Sequence, residues 1–121
     1  MKRVAIVGSR DYPNARIAAG AVLSRWAART YDPQHQVTIV SGGARGVDSV
    51  AIEIAKARGF PVQVLPADWQ RWGKRAGYMR NEELVSVVDE VIVLWDGESK
   101  GSKHTIDLTL RLRKHLEVIF P

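Results

Sequence analysis

The chain has 121 residues, 45% hydrophobic and 26% charged, with no cysteine. That size and balance suit one globular domain with its own core and exclude a disordered, collagen-like or disulfide-stapled chain, while the missing thiols exclude Cys nucleophiles and Cys-ligated metal or iron–sulfur centres. Eighteen Lys and Arg against 13 Asp and Glu leave a net charge of +5, which favours an anionic partner without choosing among nucleotide, nucleic acid and phosphate.

Residues 2–7 hold a continuous apolar run, Val4 to Val7, ending at Gly8. Such a run predicts a strand buried on both faces. Residues 13–31 place Ala19, Val22, Leu23, Trp26 and Ala27 at helical spacing, with Pro13 suited to a first turn and Asp32-Pro33 to a stop. Residues 36–40 are rich in β-branched side chains and predict a second strand. After a glycine-rich turn, residues 47–58 predict a helix with Val47, Val50, Ala51 and Ile54 on one face and Gly59 beyond its end. Residues 61–65 predict a third strand and 66–77 an irregular segment. Residues 78–88 predict a helix, with Asn81, Leu84, Val85 and Val88 sharing a face. A fourth strand is expected at 90–94, a polar loop at 95–102, a helix at 103–114 and a fifth strand at 116–120. Apolar runs such as 91–95 are far short of the roughly 20 residues a membrane helix needs. The chain also runs from Met1-Lys2-Arg3 straight into a strand with no leader-like stretch, so a cytoplasmic protein is expected.

Buried strands alternating with helices specify parallel pairing through right-handed crossovers. The expected fold is α/β. It is a Rossmann-like three-layer α/β/α sandwich on a five-stranded, mainly parallel sheet of order 3-2-1-4-5, with residues 1–121 forming one domain. Strands one and four are then neighbours, and the chain changes direction between them. Ligands of open α/β sheets bind outside the strand carboxyl ends at such a switch point.

Four segments converge there. They are Gly8-Ser9-Arg10-Asp11, Ser41-Gly42-Gly43-Ala44-Arg45-Gly46-Val47-Asp48, Gly77-Tyr78-Met79-Arg80-Asn81-Glu82, and the stretch from Trp95 through Lys100-Gly101-Ser102-Lys103-His104-Thr105. The turn from Ser41 to Gly46 can bring backbone N–H groups close to a phosphate at the positive end of the next helix. Equally, it can be a tight turn needing positive φ, with Asp48 complementing the helix terminus. Gly101-Ser102 repeats the arrangement, with hydroxyls from Ser102 and Thr105. There is no G-x-G-x-x-G after strand one and no Walker A register, which disfavours hydride transfer with NAD and P-loop ATP chemistry.

Arg45 and Arg80 are the foremost ligand contacts, since a guanidinium fork matches phosphate or carboxylate; salt bridges to Asp48, Glu82 or Asp96 are the other reading. Arg10 is a further candidate. Lys103 and His104 fall at an expected helix start, an unfavourable end for cations without an anion. Trp69, Trp72, Tyr78 and Trp95 offer faces to a base, whereas Trp26 reads as core. Glu82, Asp107 and Asp48 are acids that glycosidic chemistry could use, although capping or ribose binding is the commoner role. His35, His104 and His115 make no metal-ligand spacing. A phosphorylated ligand could bring Mg²⁺, but nothing demands a metal.

The run SGGARGVD at Ser41 to Asp48 resembles the SGxARGID motif of the DNA-processing (Smf/DprA) branch of the SLOG superfamily, a group of Rossmann-like nucleotide-binding domains. Tyr78-Met79-Arg80-Asn81-Glu82 resembles that branch's RN-containing helix start. The stretch from Ser99 to Thr105 resembles its SGS-x-x-T loop and the PGG-x-GT loop of the Lonely Guy (LOG) phosphoribohydrolases. The GSR-DYP opening at Gly8 to Pro13 and the length resemble the YspA-type, cpYpsA-related SLOG proteins most, and the resemblance covers nearly the whole chain. It implies a nucleotide or nucleotide-derived ligand at the strand carboxyl ends, held by a sensor or processing domain of the kind found in bacterial and phage conflict or stress systems. It also implies a homodimer or higher homo-oligomer, with exposed apolar faces of the helices at 47–58 or 78–88 as the interface. Two alternatives accompany it. One is a LOG-like hydrolase cleaving nucleoside monophosphates with Glu82 or Asp107; the other is a single-stranded DNA binder. Asp107 stands where LOG enzymes carry a glutamate, and Gly101-Ser102 where they carry paired glycines.

Overall fold

Strand β1 (Lys2–Gly8) sends Val4 and Ile6 into one core and Ala5 and Val7 into another. This is the period-two alternation of a strand, apolar on both faces as a parallel sheet covered on both sides requires. The computed structural model describes residues 2–26 and 36–121. Around β1 lie β2 (Val37–Ser41), β3 (Val62–Val64), β4 (Glu90–Leu94) and β5 (His115–Ile119). All pair in parallel, in the order β3-β2-β1-β4-β5. Helices α1 (Ala15–Leu23) and α2 (Val47–Ala57) pack on the Val4/Ile6 face. On the other face lie α4 (Ala76–Val87) and α5 (Lys100–Arg111), with Leu84, Val85 and Leu108 against Ala5, Val7, Val91 and Val93. The expected three-layer sandwich and strand order are those of the structure. Among the described residues no helix is long and apolar enough to cross a membrane.

Three local expectations are corrected. The helix expected at 13–31 starts at Ala15, after Asn14 in a left-handed conformation, and stops at Leu23. Arg58 Nη1 donates to the Gly20 carbonyl at 2.8 Å and to the Ser24 hydroxyl at 3.1 Å. The N–H groups of Arg25 and Trp26 turn back onto the carbonyls of Val22 and Leu23, a 3₁₀-type tightening that ends the helix. Trp26 joins the core from this turn, and the stop expected at Asp32-Pro33 lies outside the described residues. The irregular segment at 66–77 contains a short helix, α3 (Trp69–Trp72), and a 3₁₀ turn at Gly73–Arg75. Finally, α5 begins at Lys100 rather than at residue 103. Asp96 Oδ1 accepts the N–H groups of Glu98 and Ser99, each at 2.9 Å. This side-chain turn aims the chain into the helix despite the low helix propensity of Gly101.

The helices at 47–58 and 78–88 do not expose apolar faces. Val47, Ala51 and Ala55 of α2 are buried, as are Leu84 and Val85 of α4, because these faces cover the sheet. Among the described residues the large exposed hydrophobic side chains include Ile17, Leu110, Leu112 and Phe120, while α4 exposes Tyr78 near its start.

Gly46 lets the loop from β2 to α2 pass against the loop after β1. Its φ of 90° suits glycine, and a Cβ there would lie 2.6 Å from the Arg10 backbone. Gly59 has a similar φ of 84° but open space around it. Gly59→Ala should therefore cost about 1–2 kcal/mol, the conformational term alone, and Gly46→Ala clearly more. Urea unfolding of both variants checks this; equal losses would mean that the close approach contributes nothing.

Candidate functional site

The loops after β1, β2 and β4 and the segment from α3 to α4 enclose a cleft of about 630 Å³. Its walls carry four cations (Arg10, Lys74, Arg80, Lys100) and four acids (Asp11, Asp48, Asp96, Glu98).

Asp48 closes the first glycine loop on itself. Its Oδ1 accepts the Gly8 N–H at 3.0 Å, and its Oδ2 accepts the Ala44 N–H at 3.4 Å. Ser41 Oγ donates to the Asp48 carbonyl and lies 3.5 Å from the Gly43 nitrogen. The N–H groups of Val47 and Ser49 reach the carbonyls of Ser9 and Ala44. The Gly43, Ala44, Val47 and Ser49 N–H groups of this loop are thus engaged inside the chain, and the carboxylate itself complements the positive end of α2. Burial pushes the Asp48 carboxyl up to about 6, against the lowering pull of the Gly8 N–H, the Arg80 charge and the Ala44 N–H. Arg45 is exposed and, like Gly42, Gly43 and Gly46, does not line the cleft.

Arg80 does line it. Nη1 donates to the Gly42 carbonyl at 2.7 Å and Nε to Asn81 Oδ1 at 3.0 Å, while Nη2 has no hydrogen-bond partner among the described residues. A Cβ on residue 42 would fall 2.2 Å from Arg80 Nη1, so glycine there makes room for the guanidinium. Asn81 Nδ2 in turn approaches the Gly101 carbonyl at 3.4 Å and His104 Nδ1 at 3.3 Å. Donation to that ring nitrogen requires it to be unprotonated. Burial, the largest influence on His104, holds its pKa below the ordinary imidazole value. The Tyr78 ring meets His104 edge-on, with centroids 4.6 Å apart.

The start of α5 contrasts with that of α2. Its first helical bond joins the Lys103 N–H to the Ser99 carbonyl, and the N–H groups of Lys100, Gly101 and Ser102 have no acceptor among the described residues. Buried Ser9 fixes this loop: its Oγ accepts the Asp96 N–H at 3.1 Å and lies 3.5 Å from Ser102 Oγ. The N–H groups of Ser99 and Glu98 hold the Asp96 carboxyl below the ordinary range. Lys100, Gly101, Ser102 and Thr105 all line the cleft, and the Thr105 hydroxyl donates to the Gly101 carbonyl at 3.2 Å.

The two acids singled out for catalysis are not brought here. Glu82 and Asp107 are exposed and outside the cleft lining, and Asp107 pairs with Lys103 at 3.0 Å across one helical turn. Lys103 and His104 sit beyond the first turn of α5, since the helix begins three residues earlier than expected. Trp95 braces the loop instead of lining the cleft. Its Nε1 donates to the Ser99 carbonyl at 3.0 Å, and its ring packs on Phe120. Sequence reasoning missed Lys74, Glu98 and Lys100, which lie in irregular chain or at a misplaced helix start. The Asp96-Gly97-Glu98-Ser99 turn signature could have placed Lys100. Among the described residues no three His, Asp or Glu gather into a metal site, and His35 lies outside them.

Asp48 carries a pH signature. Its folded pKa, about 6, exceeds the ordinary 3.8. On raising the pH, the unfolded chain releases this proton first. Stability from the neutral carboxyl, complete below about pH 4, is therefore lost by about pH 6, a change on the order of 3 kcal/mol. Asp48→Asn removes that slope. Urea unfolding between about pH 4 and 7 should show the wild type losing stability relative to the variant, and parallel curves would assign Asp48 an ordinary carboxyl.

A model of the YspA, cpYpsA-related SLOG family matches residues 2–72. The Gene 61 protein of Mycobacterium phage D29 is 34% identical over 110 residues, covering 86% of this chain and 85% of that protein. Among solved structures, DNA processing protein A from Streptococcus pneumoniae is similar with a TM-score of 0.79 and 19% identity, over 98% of this chain and 50% of that one. DNA processing protein A from Helicobacter pylori, described for its single-stranded DNA binding mode, is similar with a TM-score of 0.67 and 21% identity, over 97% and 64%. The chain thus spans about half to two-thirds of these solved proteins, and the likeness is one of fold. The family match itself contains both the Gly8-Ser9-Arg10-Asp11 segment and the loop that Asp48 closes: this chain belongs to the YspA, cpYpsA-related SLOG family.

Proposed function

We propose that the cleft binds a nucleotide or nucleotide-derived ligand, with its phosphate on the first turn of α5. The carrying observation is that the N–H groups of Lys100, Gly101 and Ser102 have no acceptor among the described residues, on a wall shared with Arg10 and Arg80. A phosphate gains there from the helix terminus and from charge-assisted hydrogen bonds. Arg80 is held by two bonds, and its Nη2, without a hydrogen-bond partner among the described residues, is available to a ligand. Asp11, Asp96 and Glu98 on the same walls suit a ligand that also brings hydroxyls, as a ribose does.

Binding, not cleavage, is the favoured reading, because neither Glu82 nor Asp107 lines the cleft, and Asp48, which does, has both carboxylate oxygens taken by the Gly8 and Ala44 N–H groups. The protein incubated with AMP for hours should release no free base; steady release read by chromatography would restore the hydrolase. Single-stranded DNA is a second reading, favoured by the likeness to the two DNA processing proteins. A DNA strand spanning several phosphates would show an affinity falling steeply with salt, whereas a mononucleotide would show a shallow slope.

Calorimetric titration with AMP tests the assignment. Arg80→Ala should weaken binding by about 1.5–3 kcal/mol, the range for hydrogen bonds to charged groups. Arg45→Ala should change it far less. Full affinity in a folded Arg80→Ala, or an equal loss in Arg45→Ala, would move the phosphate off α5 and back toward the first loop.

A further inference from the structure

We infer that Trp69 and Tyr78 form a stacking platform for a planar base, so that the ligand is a nucleoside phosphate and not a sugar phosphate or another non-aromatic anion. This rests on the phosphate assignment above and adds the other end of the molecule. Both side chains line the cleft, and both are exposed, Trp69 by 56% and Tyr78 by 46%. A single exposed aromatic is ordinary. Two on the wall of one charged cleft, with the Trp69 ring resting over Gly77, the residue before Tyr78, leave apolar surface facing a polar opening, which marks a recognition surface.

The other tryptophans are occupied. Trp26 is core, Trp72 lies under the Arg71 guanidinium at 4.8 Å, and Trp95 packs on Phe120. Trp69 is also held in place. Asp68 caps its short helix, accepting the Arg71 N–H at 3.1 Å through Oδ1. The outer edge of the indole rests over Gly77, where a Cβ would lie 3.4 Å from Cη2. Tyr78 is fixed from behind by its edge-on contact with His104. His104 is tied through Asn81 to both Arg80 and Gly101. Tyr78 and the phosphate-ready turn are therefore braced by one set of contacts. A cleft of about 630 Å³ falls within the usual range for a small-molecule site. Stacking accepts any base, because every base has a π-face.

The experiment titrates AMP, ribose 5-phosphate and adenosine into the wild type and Trp69→Ala, by calorimetry and tryptophan fluorescence. AMP should quench the wild-type fluorescence, and Trp69→Ala should weaken AMP binding about 5- to 150-fold and remove most of the quench. Ribose 5-phosphate should bind more weakly than AMP, without quenching, and equally to both proteins. Trp69→Phe should recover part of the AMP affinity. Equal affinity of the wild type for AMP and ribose 5-phosphate, or no effect of Trp69→Ala on AMP, overturns the platform and leaves the phosphate site standing. Adenosine binding with a Trp69-dependent quench, alongside an AMP affinity no higher than that of adenosine, supports the platform and removes the phosphate assignment. Failure of all three probes to bind overturns both.

Discussion

One buried carboxylate organises the carboxyl ends of the sheet. Asp48 belongs to α2, yet it takes the N–H of Gly8 at the end of β1 and that of Ala44 in the loop after β2. Two loops that would otherwise be joined only through the sheet share one acceptor. A charge so buried is costly unless hydrogen-bonded, and these backbone donors, with the Arg80 charge nearby, offset part of that cost. Ser9, the next residue along, extends the arrangement to the loop after β4 through Asp96 and Ser102. The floor of the cleft is thus a continuous set of polar contacts across three strand ends.

That constraint separates two loops that look alike in composition. The first has its Gly43 and Ala44 N–H groups turned inward by Ser41 and Asp48, and Gly42 and Gly46 serve close packing against Arg80 and Arg10. The loop before α5 has its acid upstream of the helix. Asp96 shapes the turn and leaves the helix terminus without an acceptor among the described residues. The position of one carboxylate relative to the helix start decides whether a glycine-containing loop is clasped by its own acid or leaves its first helical N–H groups without an acceptor among the described residues.

Arg80 links the two loops. It reaches back 38 residues to the Gly42 carbonyl, and its neighbour Asn81 reaches forward to Gly101 and His104. A guanidinium anchored at two points loses little further freedom on meeting an anion, which is how a site becomes preorganised. The same α4 carries Tyr78, so the charged and aromatic parts of the cleft are positioned by one helix packed on the sheet through Leu84 and Val85.

The architecture was legible because the central strands β1, β2 and β4 are largely apolar on both faces and the helices on one. β4 lies where its uninterrupted apolar run put it, and the order β3-β2-β1-β4-β5 is one of the few that right-handed parallel crossovers allow. The four segments of the cleft were legible for the same reason, since a parallel sheet delivers every strand end to one edge. Which side chains enter the cleft was not. Arg45 and Arg80 have the same chemistry and both lie near glycines, but only Arg80 is turned inward, by a hydrogen bond to a residue 38 positions away. Glu82 stands two residues from Arg80 on the same helix and is exposed, while Glu98, in a loop without periodicity, lines the wall. The start of α5 depends on the Asp96 turn and on Ser9, Trp95 and Ser102 meeting across the sheet. Helix and strand periods are local properties of the chain and can be read along it. Loop side-chain direction and helix termini are set by long-range hydrogen bonds, which exist only once the sheet has brought their partners together.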